Sequence, residues 1–509
     1  MAFSISWHTL LVLITVYYGT LVFYRLFLHP LARFPGPKLA AISRWYEAYH
    51  DVVQGGQYTS KIAKLHATYG PIIRISPHEL HVADAAFFDT LYRTDGHWDK
   101  YSWTYDAFGA KGSTVFGSDH DAHRAHRRAI APLFSKTAVI SRLDIVSRNV
   151  DKLSKRISLV PRDTRDTDAT LDLGAAISAF TRDIANEFII GKAYKELDLD
   201  DFGVGLSIAS SGAGPFWRIT KHVPWFGPAM KAMPIPWAMK MADEGMKSFL
   251  RYLQQTEQDT RELMATAQRS SPEDKTNRTL VHEIIHSSLP PADMTFERTF
   301  EEVATVTGAG YETTANTLRL ILYHVYANKD ILRNLRKELA PITAEPGVSP
   351  LNELEKLPYL TGVLMEGLRL SPGISSRAAR VTDKDLVYED WRIPAGTPVG
   401  MTAILLHTDG NLYHNPLRFD PTRWLDHTGN KLRDGSHVPF APFSRGTRVC
   451  LGMHLAWAEL YLLLSTLVPR FDFSYDGVQD GDFELERDNF GIGTKAGCHL
   501  VARVVPYQG

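Results

Sequence analysis

From Ala2 to Tyr24 the chain carries no Asp, Glu, Lys or Arg, and from Trp7 to Tyr24 it is almost wholly apolar or aromatic. About 20 such residues span the hydrocarbon core of a bilayer as a helix, so the pattern predicts an N-terminal anchor. Arg25, Arg33, Lys38 and Arg44 follow, and positive charge on that flank places it in the cytosol. The competing reading, a cleaved signal peptide, calls for a basic start, a shorter apolar run and a small-residue cleavage site. Phe34-Pro35-Gly36-Pro37 then disfavours helix and predicts a stiff break. Tyr69 to Pro77 reads as a short β-branched strand, and Glu79 to Val82 as its antiparallel partner. Met294 to Asn328 predicts a helix roughly 50 Å long at 1.5 Å per residue. A second long apolar stretch runs from Leu455 to Leu467.

At 509 residues, length alone suggests about three domains. Yet no Gly/Ser tract, charge block, low-complexity run or repeat marks a boundary. The expected architecture is therefore mainly α with small β-sheets (α+β): an anchor over residues 1–27, a proline-rich hinge over 28–38, and one large domain over 39–509. A net charge of −1 gives no reason to expect nucleic acid. Two cysteines in so long a chain fit a reducing compartment.

One of those cysteines carries the chemistry. Phe443-Ser-Arg-Gly446-Thr-Arg448-Val-Cys450-Leu-Gly452 places it in a glycine-bracketed loop just before the apolar stretch at 455. The glycines permit close backbone approach. Amides opening the next helix stabilise negative charge on sulfur, and Phe443 is placed to keep it dry. A thiolate is an electron-rich iron ligand that favours O–O cleavage when it binds haem. Two plainer readings stand beside this one: a buried structural cysteine, or a pair with Cys498, the other cysteine. With no C-x-x-C spacing, a zinc site built on cysteine is excluded.

The decapeptide resembles the haem-binding loop of the cytochrome P450 family, F-x-x-G-x-R-x-C-x-G, with every fixed position filled. The resemblance implies haem b with Cys450 as the axial iron ligand, and Phe443, Gly446 and Arg448 around it. In the long predicted helix, Gly308-Ala309-Gly310-Tyr311-Glu312-Thr313-Thr314 resembles the family's A-G-x-[DE]-T-T motif. Glycine and paired threonines are poor helix formers, and a threonine hydroxyl bonding back to the i−4 carbonyl bends a helix. Glu312 and Thr313 would be an acid–alcohol pair passing protons to dioxygen; otherwise this is a helix kinked for packing. Glu366 and Arg369 share a helical face at i, i+3, and the resemblance adds Arg423 to make a buried structural triad. The haem propionates call for cations, with Arg377, Arg448 and Arg127 as candidates. The stretch from His123 to Arg127 resembles the family's W-R-x-x-R, with His123 in place of the tryptophan. His120, His123 and His126 drift around the helix at this spacing and make a poor metal set.

Trp98 to Phe116, the apolar run from Pro215 to Met241, Gly373 to Ser376 and Gly491 to Thr494 would line the substrate pocket, the apolar run as a roof dipping into the bilayer or simply as core. The implied enzyme is a membrane-anchored monooxygenase of the endoplasmic reticulum. With no G-x-G-x-x-G in the chain, electrons would come from NADPH–cytochrome P450 reductase, with cytochrome b5 as an optional second donor. Leu28 to Lys38, Ile72 to His78 and His97 to Tyr101 resemble filamentous-fungal members of the trichodiene-oxygenase-like branch. That analogy suggests a lipophilic secondary metabolite, a terpenoid first and a polyketide or alkaloid second. The rivals are a reductase-independent haem-thiolate isomerase or dehydratase and a non-catalytic haem-binding protein.

Overall fold

The computed structural model describes residues 6–163, 170–271, 278–342, 350–429, 432 and 439–507. Its first element is the apolar helix Trp7–Phe23, capped by the Ser6 hydroxyl, which accepts the Thr9 N–H. None of its side chains is buried. With the π-helical turn Tyr24–Leu28 it forms a 22-residue apolar span, long enough to cross a bilayer. The following segment lies on the body. Leu31 and Phe34 are buried in the core, and the Pro35 carbonyl accepts the Arg74 N–H at 2.7 Å. Arg74 also sends its guanidinium to the carbonyls of Arg25 and Pro77, each at 2.8 Å. Gly36 permits this approach: its φ is +147°, and any Cβ there would collide with the Arg74 carbonyl.

Arg74 lies on the strand Ile72–Ser76, which pairs antiparallel with Glu79–Val82, Ile72 opposite Val82. These strands begin a five-stranded sheet that continues through Val399–Gly400, Arg380–Val381 and Asp99–Lys100. The last pairing sets Lys100 directly opposite Arg380. Like charges so placed repel, and the candidate site below accounts for them.

The rest of the body is helical. The long helix Phe296–Ala327 starts where the Thr295 hydroxyl accepts the Arg298 N–H, and every residue from Thr317 to Tyr326 is buried. It packs against the helix Leu173–Ile190, buried at every position except Glu187. Helices enclosed on all sides form the centre of a large domain. Helix Met453–Leu467 follows the cysteine loop and is buried from Ala458 to its end.

Two ion clusters join distant segments. Arg369 donates to both oxygens of Glu366 (2.9 and 2.7 Å), and Arg423, the Trp424 indole and the Asp420 N–H complete the shell at 2.9–3.0 Å. Breaking such a fully buried pair costs about 3–5 kcal/mol, because the remaining charge is stranded. Next to it His407 bonds the Arg369 carbonyl through Nδ1 at 3.0 Å and accepts the Ala441 N–H on Nε2 at 3.1 Å. The second cluster joins Arg377, Glu79, Glu47, Lys221 and Asp51.

The carbonyl partner fixes the His407 proton on Nδ1, and burial holds the ring neutral with a pKa lowered from 6.5 to about 3. The unfolded chain therefore takes up this proton first. The stability is full above the unfolded value and declines as pH falls below it, by at most about 1.4 kcal/mol per pH unit. Thermal unfolding followed from about pH 7.5 down to about pH 5 should show a steeper loss of Tm in the wild type than in His407→Gln. Equal slopes would refute a neutral ring.

Candidate active site

The cysteine loop closes on itself through the Cys450 N–H, which donates to the Phe443 carbonyl at 2.9 Å. Gly446 makes the turn: its φ is +73°, and a Cβ there would meet the Tyr92 carbonyl at 2.7 Å, so only glycine fits. Gly452 differs from expectation. A Cβ at that position meets nothing within 4 Å, and the residue acts through its N–H, which bonds the Cys450 sulfur at the start of helix Met453–Leu467. Cys450 is exposed and lines a cavity of about 2100 Å³. Burial pushes its thiol pKa up, while the Gly452 N–H and the Arg127 charge pull the other way. Cys498 is buried and free, so the two cysteines are not paired.

Around this sulfur the cavity wall gathers positive charge. Arg448 donates to the carbonyls of Gly117 (3.0 Å), Ser118 (2.8 Å) and Asp119 (3.0 Å), leaving Nε buried without a partner. Arg127 donates to the Val449 carbonyl at 2.7 Å, Lys100 to Val115 at 2.6 Å, and Arg380 to Ala378 at 3.1 Å. Among the described residues no carboxylate forms an ion pair with any of these four. Burial drives the pKa of Lys100 well below its usual value and that of Arg448 to about 10, with neighbouring cations adding to both shifts. Burial and the same cations bring His123 to about 2, so it is neutral. Uncompensated buried cations are costly, and a ligand carrying two carboxylates beside a soft metal centre would balance them. The donor set therefore fits haem: Cys450 for the iron, and Arg448, Arg127, Arg380, Lys100 and His123 for the propionate side.

Arg377 is a correction. It lies outside the cavity wall, fully engaged by Glu79 (2.6 Å) and Glu47 (3.0 Å). Its place is taken by Arg380, which the sequence reading missed together with Lys100. In extended chain, residues three apart face opposite sides, so one arginine of the pair faces away whenever the other faces the cavity. Lys100 reaches the site only through its cross-strand position opposite Arg380, which nothing local in the sequence reveals.

On the opposite wall runs the middle of the long helix. Thr313 donates to the Ala309 carbonyl at 2.9 Å, and Thr314 to Gly310 at 3.2 Å, without breaking the helix. A Cβ on Gly308 would meet nothing within 4 Å, so the helix presents a shallow groove to the cavity. Glu312 also reaches the cavity wall, but one oxygen accepts from Arg319 at 2.9 Å and the other is buried without a partner. The acid and the alcohol are thus neighbours engaged elsewhere. Arg319, two helical turns from Glu312, was also missed, although a seven-residue spacing puts both on one face.

Above, Phe108 stacks on Phe116 at 4.0 Å between centroids and meets Phe490 at 4.8 Å, with Trp217 edge-on to Phe490. Gly373, Ile374, Ser376 and Gly491 to Thr494 line the same space. The apolar run from Pro215 to Met241 faces two ways: Met230 and Met233 line the cavity, while Trp225 and Trp237 are 70% and 66% exposed. His120, His123 and His126 contact different neighbours, with His126 turned toward Asp293 and His120 toward Trp98. They form no metal set.

In haem-loading assays, Arg380→Ala should lower cofactor retention at least several-fold with little change in the cofactor-free fold. Arg377→Ala should destabilise the fold by about 3–5 kcal/mol, as for any broken buried pair. The reverse assignment would show the opposite pattern.

The sequence model of the family described as cytochrome P450 matches residues 44–500. Cytochrome P450 monooxygenase tpcC of Cochliobolus heterostrophus is 38% identical over 461 residues, 89% of this chain and 85% of that protein. N-acetyltryptophan 6-hydroxylase ivoC of Emericella nidulans is 34% identical over 500 residues, covering 97% and 96%. Cytochrome P450 monooxygenase TRI4 of Fusarium sporotrichioides is 32% identical over 473 residues, covering 92% and 89%.

Proposed function

The chain belongs to the cytochrome P450 family, and from that premise we propose that it is a membrane-anchored haem-thiolate monooxygenase. It inserts one oxygen atom from O2 into a lipophilic secondary metabolite of a fungus, a terpenoid before a polyketide or alkaloid. The observation that carries this reading is Cys450 lining a large cavity among four cations that no carboxylate of the described residues balances. The likeness to TRI4 and to the conidiogenone synthase PchP450 of Penicillium rubens (35% identical) supports the terpenoid reading. The tryptophan-hydroxylating relatives support the alkaloid alternative. The span Trp7–Leu28 supports an anchor in the endoplasmic reticulum membrane over residues 1–27, with 28–38 as the joint and 39–509 as a cytosolic catalytic domain.

Haem, bound through Cys450, supplies a thiolate-ligated iron that activates dioxygen with electrons from NADPH–cytochrome P450 reductase, cytochrome b5 being an optional second donor. The chain does the rest. Arg448, Arg127, Arg380 and Lys100 orient and neutralise the propionates. The Gly452 N–H and Arg127 hold negative charge on the sulfur. The aromatic wall of Phe108, Phe116, Trp217 and Phe490 excludes water over the substrate. Thr313, with its hydroxyl on the Ala309 carbonyl, holds a proton at Oγ1 beside the groove at Gly308, and Glu312, held by Arg319 in this structure, would replenish it on turning away from that partner. Glu366, Arg369 and Arg423 serve structure and not chemistry.

The test is reductase-dependent turnover of the purified protein. Cys450→Ser should abolish the thiolate-type carbon-monoxide difference band and all NADPH-dependent product while helical content persists. Thr313→Ala should keep the band but lower product formed per NADPH by about 100-fold or more, the scale of a lost proton-transfer group. Product formation without NADPH or reductase would instead favour the isomerase or dehydratase reading.

A further inference from the structure

At the joint between the apolar span and the body, positive charge gathers around two histidines. Arg25 stands in the last turn of the span and donates to the Ile42 carbonyl, which draws the helix Lys38–Ile42 against that turn. His29 follows directly after the span, its ring 5.3 Å from that of His78. Burial, then Arg74, His78 and Arg25, lower the His29 pKa to about 4. Burial, then Arg44, Arg25 and Arg74, lower that of His78. Both rings are thus neutral at pH 7, with Arg25 and Arg74 acting on each of them.

Among the described residues no carboxylate forms an ion pair with any member of this cluster. The acids acting on Arg44, Glu79 and Glu47, are bonded to Arg377 at 2.6 and 3.0 Å, and Glu47 also to Lys221 at 2.9 Å. Donors are left over as well. Arg74 Nε and Arg44 Nη1 are buried without a partner. His29 accepts the Leu31 N–H on Nδ1 at 3.0 Å, which puts the proton of the neutral ring on Nε2, and no described residue accepts from it. Arg74 is buried and acts through its charge; Arg25, His29 and Arg44 are partly open, and His78 is exposed.

The depth of the cluster indicates where its anion comes from. The span ends at Leu28, so Arg25 and His29 stand where hydrocarbon gives way to headgroups. Phe27, Leu28, Leu39 and Trp45, on the two stretches that carry Arg25 and Arg44, are all exposed. A phosphate arriving from water has no use for such an apolar rim, whereas the chains of a lipid would cover it. Basic clusters just beyond a membrane span attract anionic headgroups. We propose that Arg25, Arg44, His29 and His78 bind the phosphate of one anionic phospholipid beside the joint. This rests on the anchor reading above and adds to it a single lipid held in a defined place.

The experiment titrates the full-length holoenzyme in neutral detergent with dihexanoyl phosphatidic acid, dihexanoyl phosphatidylcholine and inorganic phosphate, read by Tm and native mass spectrometry. Phosphatidic acid should raise Tm saturably and stay bound as one molecule per chain; the other two, at equal concentration, should do neither. Arg25→Gln should weaken this binding about fivefold, the scale of one basic residue at a headgroup, with the haem absorbance intact. His78→Gln, at an exposed position, should weaken it too and keeps the test available if Arg25→Gln does not fold. Arg128→Gln, which removes an exposed charge elsewhere, should leave it unchanged. An equal response to phosphatidylcholine, binding without saturation, or an equal loss in Arg128→Gln would overturn the proposal. An equal response to inorganic phosphate would assign the cluster to a soluble anion and overturn it as a lipid site. Failure of the anchor reading looks different: the full-length protein would not float with phosphatidylcholine vesicles.

Discussion

Five donors converge on one buried carboxylate. Glu366 accepts twice from Arg369, and once each from Arg423, the Trp424 indole and the Asp420 amide. Arg369 in turn holds the carbonyls of His407 and Pro416, and His407 holds the Ala441 amide. Two residues beyond Ala441 begins the loop that ends at Cys450. The sulfur is thus positioned by a relay of hydrogen bonds that starts at an ion pair in the protein interior. A charge so fully coordinated leaves its segments no second arrangement of similar energy.

The same low-dielectric interior holds a second population of charges treated in the opposite way. Among the described residues Lys100, Arg127, Arg380 and Arg448 donate hydrogen bonds only to backbone carbonyls, with the Tyr105 and Tyr92 rings against Lys100 and Arg380. Carbonyl oxygens bring partial charge to a guanidinium or ammonium and do not neutralise it. The fold thereby separates what it completes by itself, around Glu366 and Glu47, from what it prepares for a ligand, around Cys450.

What could be read from sequence was what is local. Cys450, Gly446 and Arg448 sit within one decapeptide, and Glu366 and Arg369 within one helical turn, so spacing alone brings them together. The apolar N-terminal helix, the first hairpin and the long helix were legible for the same reason, through runs and periods. The site's remaining members depend on long-range register. Lys100 meets Arg380 only because two short strands pair 280 residues apart. Arg377 was assigned to the cavity because residue type says nothing about which of two neighbouring arginines turns inward; the carboxylates of Glu47 and Glu79 decide that. Glu312 was visible as an acid beside a threonine, while its hold on Arg319 depends on rotamers and on the wall formed by Ser178. The roof read as uniformly apolar because composition does not reveal which side of a short helix faces inward.

The stitching of Pro35, Gly36 and Arg74 to the carbonyl of Arg25 changes what kind of object the N-terminus makes. A flexible tether would let a catalytic domain tumble above a bilayer and sample it with any face. A helix whose last turn is hydrogen-bonded to a core strand transmits its own tilt and azimuth to the whole body. Were the apolar helix to lie in a bilayer, as proposed, the body would keep one heading above it, and the roof would meet the lipid at one fixed angle.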